Sequence, residues 1–119
     1  MSAFQHQWVR LAFIVLFAAI VAGCMGEDPA RITSDAISSG DPQACQAISD
    51  PRMKNNCSMY VSFSQDNITM CKAIEDRGWR NYCIMEIAKD RGDHKICDNI
   101  PTQRIKEDCL KGVGTRRKT

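Results

Sequence analysis

The sequence predicts an all-α fold: three helical hairpins of 26 residues, each stapled by one disulfide and stacked as a short solenoid over residues 41–113. Three observations predict it. Six of the seven cysteines stand at 45, 57, 71, 83, 97 and 109, so that gaps of 12 and 14 alternate without an insertion. Apolar, capping and basic residues recur in the same 26-residue phase. Alternating strand patterns are absent from that stretch.

The chain has 119 residues, a formal net charge of +2 and seven cysteines. One small domain with one core is what such a length supports once an N-terminal segment is set aside. A core of that size has a thin margin, and a cysteine-rich chain outside a reducing compartment supplements it with disulfides. The small net charge, with its only local excess at Arg116, Arg117 and Lys118, points away from a nucleic-acid groove.

Residues 1–23 have the order of a signal peptide: a polar lead with Arg10, the apolar run from Leu11 to Ala22, then small residues before a cysteine. The run is shorter than the roughly 20 residues a spanning helix needs. Retention as an uncleaved anchor is the alternative. The four residues Val21-Ala22-Gly23-Cys24 resemble the lipobox of prokaryotic lipoproteins. That resemblance implies cleavage before Cys24, a diacylglyceryl group on its thiol, acyl chains such as palmitate, and attachment to the outer side of a membrane. Two chains suffice for stable anchoring. Met25, rather than an Asp, follows the lipid-bearing cysteine; in a two-membrane cell this favours the outer membrane, facing the periplasm.

Residues 24–40 are polar, with Gly, Pro and Ser and no clear period. They read as the lipidated N-terminus and a flexible tether, which would hold the domain roughly 20 to 25 Å from the membrane unless a short helix forms near Arg31 to Ile37.

Each 26-residue unit reads as two helices. Asp41, Asn67 and Asp93 are N-caps for a short helix of about two turns that carries the first cysteine, with Ile48, Ile74 and Ile100 three residues on. Asp50, Asp76 and Thr102 cap a longer helix, and Pro42 and Pro51 occupy the favoured first helical position. Along the longer helices Met53, Cys57 and Val61, then Trp79, Cys83 and Ile87, then Ile105, Cys109 and Val113 are spaced four apart, which sets each cysteine in an apolar stripe. The last helix is expected to end early at Gly112 and Gly114, leaving 114–119 as a basic flexible tail. Pairing within units, Cys45 with Cys57, Cys71 with Cys83 and Cys97 with Cys109, uses every cysteine. Offset pairing, Cys57 with Cys71 and Cys83 with Cys97, strands the outer two. Each within-unit bond closes a loop worth up to about 3 kcal/mol on the chain-entropy model.

The segment Cys71-Lys72-Ala73-Ile74-Glu75-Asp76, with Arg80-Asn81-Tyr82-Cys83-Ile84-Met85-Glu86-Ile87-Ala88, resembles uncharacterised cysteine-paired helical repeats of exported archaeal and bacterial proteins. The resemblance spans about residues 41–113, departs at Pro101-Thr102, and implies an architecture without an activity.

No chemistry stands out. Gaps of 12 and 14 are not the spacing of zinc ribbons or redox dithiols, so no metal and no cofactor are expected. His6 leaves with the signal segment and His94 stands alone in a first turn. Asp41, Asp50, Asp76 and Asp93 serve as caps, while Glu75 and Asp76 diverge at a helix boundary. Phosphate loops and serine-nucleophile motifs are missing from the sequence, and the chain does not read as an enzyme. Asn56-Cys57-Ser58 and Asn67-Ile68-Thr69 match the glycan acceptor pattern incidentally.

Trp79 belongs to a core stripe or anchors a partner. Tyr60, Phe63 and Met59 lie around the helix from Cys57, so some of them should be exposed; with Trp79 they are the candidate partner-binding residues. The expected function is that of a lipid-anchored accessory protein binding another envelope or membrane-complex protein. A stand-alone ligand- or inhibitor-binding lipoprotein is the alternative.

Overall fold

The computed structural model describes residues 2–23 and 26–116, with side chains over 4–15 and 26–115. The described chain is all-helical, with six α-helices: α1 (Ser2–Gly23), α2 (Pro29–Ser39), α3 (Pro51–Ser64), α4 (Ile68–Lys72), α5 (Arg77–Arg91) and α6 (Gln103–Arg116). Two 3₁₀ turns, Pro42–Ala47 and His94–Asn99, precede α3 and α6.

α1 takes part in none of the packed element pairs, and Phe4, Trp8, Phe13 and Ile14 on it are exposed. The radius of gyration is therefore 23.2 Å, against about 14 Å for a compact chain of this length. Among the described residues no helix is long and apolar enough to cross a membrane. Cys24 and Met25, on which the lipid and sorting expectations rest, lie outside the described residues.

The caps form at the 26-residue phase. Asp41, Asn67 and Asp93 accept hydrogen bonds from the backbone N–H of Gln43 (2.9 Å), Thr69 (2.9 Å) and Lys95 (2.9 Å). Asp50 and Asp76 accept from Met53 and Trp79, each at 2.9 Å. Each of these bonds satisfies a helix-start N–H that has no partner within its own helix. The short helices are tighter than expected. Two are 3₁₀ turns and α4 has five residues, so the isoleucines fall at the exits rather than inside. There the N–H of Ile48, Ile74 and Ile100 donates back to the carbonyl of Cys45, Cys71 and Cys97 at 3.0 to 3.1 Å.

The three disulfides join Cys45 to Cys57, Cys71 to Cys83 and Cys97 to Cys109, with Cα separations of 5.7, 5.5 and 5.8 Å. All six sulfurs are buried. Around them lie two apolar clusters. Ile32, Ala36, Ile48 and Val61 surround the first bond; Met59, Ile74, Ile84, Ile87, Ile96, Ile100 and Val113 surround the other two. Met59 of α3 belongs to the second cluster, whereas Cys57 and Val61 of the same helix belong to the first. Helix packs on helix in chain order: α2 on α3, α3 on α5, α5 on α6.

Two expectations are corrected. The segment read as a flexible tether is helical over Pro29–Ser39. Asp28 caps it by accepting from Ala30 N–H at 3.0 Å, and Ile32 and Ala36 are buried against the first disulfide. Its exit repeats those of the later helices. Gly40, Asp66 and Gly92, spaced 26 apart, all have positive φ (69°, 48° and 64°). The N–H of the following Asp41, Asn67 and Asp93 donates to Ala36, Ser62 and Ala88 at 3.0 to 3.1 Å. This is a left-handed helix stop, and the three accepting residues are small and fully buried. α2 is thus in phase with α3 and α5, although it carries no cysteine. The second correction is at the other end. α6 continues to Arg116 because Val113 is fully buried in the second cluster and Leu110 packs on it. Gly112 marks a close approach instead of a stop, since a Cβ there would lie 2.5 Å from Cε of Lys89.

Candidate interaction surface

Asp50 and Asp76 cap α3 and α5 in the same way, and the two helices pack against each other. Between the first halves of these helices run two adjoining clefts of about 440 and 550 Å³ that share Asn56 and Trp79. Met53 and Asp50 line the first; Tyr60, Met59, Tyr82 and Asp76 line the second.

The surface is mixed: exposed Asp50, Arg52 and Asp76 stand beside large apolar side chains. Met53 is 51% exposed, Tyr60 46% and Tyr82 45%, values high for large side chains gathered on one face. Tyr60 is held by an edge contact with Phe63, their ring centroids 6.4 Å apart and their planes at 89°, a favoured aromatic arrangement. Trp79 is half-buried and packs on the second cluster, so its ring is fixed before anything docks.

Of the four residues expected to bind a partner, Trp79 and Tyr60 line the cleft as exposed or half-exposed groups. Met59 is corrected in its exposure: it is only 5% exposed and packs in the second cluster, so it lines the cleft from beneath. Phe63 is also corrected. It is half-buried against the second cluster and supports Tyr60 from behind rather than lining the cleft. Tyr82, Met53 and Asn56 complete the surface. Tyr82 follows Asn56 by one repeat, and that shared phase was the sequence signal for its place beside the cleft.

Several charged groups make structural contacts. Arg91 bonds Asp66 through Nε at 2.8 Å and also donates to its carbonyl, linking the ends of α5 and α3. Lys106 pairs with Asp98 at 2.7 Å and Lys89 with Glu86 at 2.7 Å. His94 is half-buried in the first turn of its 3₁₀ segment. Among the described residues no group of three or more His, Cys, Asp or Glu side chains is placed to hold a metal ion. Among the described residues one buried side chain is left over: Asn81 is 2% exposed, and neither its amide oxygen nor its nitrogen has a partner.

No family model, no curated protein and no solved structure matches the chain.

Proposed function

We propose that this chain is a lipid-anchored extracytoplasmic accessory protein that docks another envelope protein through the cleft between α3 and α5. The observation that carries the reading is the cleft itself: Tyr60, Tyr82 and Met53 are exposed beside the fixed ring of Trp79. Rigid Tyr and Trp side chains supply contact area at low entropic cost, which is why they dominate binding hot spots. The three buried disulfides suit an oxidising compartment, in keeping with export on residues 1–23 and a lipid on Cys24.

In this reading residues 41–113 are three stacked 26-residue units of a short solenoid, and α2 is the second helix of a truncated unit before them. Such a stack offers a surface built by neighbouring units, and the role is one of binding without catalysis. The test is gentle detergent extraction from the native membrane without reductant, with capture through a C-terminal tag. A companion present in fixed ratio with the wild-type chain, and lost from the Tyr60→Ala/Tyr82→Ala chain, is the expected result. Recovery of the wild-type chain alone would overturn the reading.

A further inference from the structure

A separate cavity, of about 400 Å³, opens between the 3₁₀ turn Pro42–Ala47, the start of α3 and the turn from α4 to α5. Beside Ala73 and Ile74 its wall is polar: Gln43, Gln46, Lys54, Asn55, Ser58 and Glu75 line it. Among the described residues none of these six side chains hydrogen-bonds or ion-pairs with another protein group. Lys54, Asn55 and Ser58 are half-buried and Gln43, Gln46 and Glu75 exposed, so the polar lining reaches from solvent into a space the protein itself leaves unfilled.

The 26-residue phase shows what the chain does at the same place elsewhere. One unit on, Arg80 stands for Lys54 and donates from Nη1 to the carbonyl of Ile74 at 3.2 Å. Two units on, Lys106 stands there and pairs with Asp98, where the first unit has the neutral Gln46. Ile84, 1% exposed, replaces Ser58, and Asn81, 2% exposed, replaces Asn55. In the second unit the isoleucine is buried in the apolar cluster and the cation is engaged by the protein. At the first one a serine leaves the space open and Lys54 unpaired.

We propose that this cavity binds a small zwitterion, a free α-amino acid or a short unblocked peptide. Its carboxylate would meet Lys54, its ammonium Glu75, and its remaining polar atoms the amides of Gln43, Gln46 and Asn55. The lining carries one positive and one negative side chain that do not pair with each other, which matches a ligand with both charges and no net charge. The volume falls within the range of small-molecule sites, and hydrogen bonds between charged partners are the strong ones.

The probes are the twenty L-amino acids and Gly-Gly, compared with their N-acetylated, amidated counterparts and with glucose, added to the full chain in detergent and read by calorimetry. At least one zwitterion should bind saturably, and capping both its ends should weaken it by tenfold or more. Lys54→Met and Glu75→Gln should each weaken it about tenfold, and Ser58→Ile should abolish it. Helical circular dichroism and an intact disulfide map check each variant. If Ser58→Ile does not fold, the two charge variants, on half-exposed or exposed side chains, decide the matter. Tyr60→Ala/Tyr82→Ala should leave this binding unchanged, which separates it from the docking cleft. Three results overturn the proposal: binding by no zwitterion of the set, equal binding of capped probes or glucose, or indifference to both charge variants.

Discussion

Replacing Cys71 and Cys83 together by alanine isolates what one disulfide contributes. The bond closes a separation of 12 residues, for which the loop-closure relation gives about 3 kcal/mol at 25 °C. Both sulfurs are fully buried beside Ile74, Ile84 and Ile87, and the space they vacate adds about 1 kcal/mol. The expected loss is therefore about 4 kcal/mol, a large share of the 5–15 kcal/mol margin of an ordinary domain. The other two pairs have the same separation of 12, so any difference among the three double variants reports packing alone. Urea unfolding of the full chain in detergent, followed by circular dichroism without reductant, measures the loss. A loss under about 1 kcal/mol, or a peptide map of the wild-type chain linking Cys57 to Cys71, would refute the reasoning.

Other consequences follow from particular contacts. Ile32→Ala should cost about 2 kcal/mol in the same assay, since the side chain is 7% exposed against the first cluster; no change would mean that α2 is a tether after all. Asn81→Leu should stabilise the chain by about 1 kcal/mol, because it removes a buried amide without partners at little change in volume. A destabilised variant would show that the amide is engaged. Gly92→Ala should cost about 1 kcal/mol through its φ of 64° alone, as nothing lies within 4 Å of the added Cβ; equal stability would remove the left-handed stop. Labelled palmitate should appear on the wild-type chain and not on Cys24→Ala, and labelling that persists would place the lipid elsewhere.

The disulfide pairing was legible because six cysteines share one phase, and the caps were legible because Asp and Asn before a helix have one common use. α2 was hidden by the loss of that marker. Arg31 stands where Cys57 and Cys83 stand in the following units, so only Ile32, Ala36 and the stop at Gly40 carry the phase. Met59 misled because it lies off the stripe of its own helix, yet it faces the neighbouring one, and the packing partner decides burial there. Gly112 and Gly114 suggested an early stop from local propensity, which the burial of Val113 overrides. The polar cavity draws its lining from residues 43 to 75, which only the packed helices bring together.

The docking claim is tested most directly by a photo-crosslinking side chain placed at Tyr82 in cells and, as a control, at the exposed Lys111 of α6. The account predicts one crosslinked envelope protein from position 82, absent from position 111 and lost when Trp79→Ala is added. The same products from both positions, or none from position 82, would contradict it.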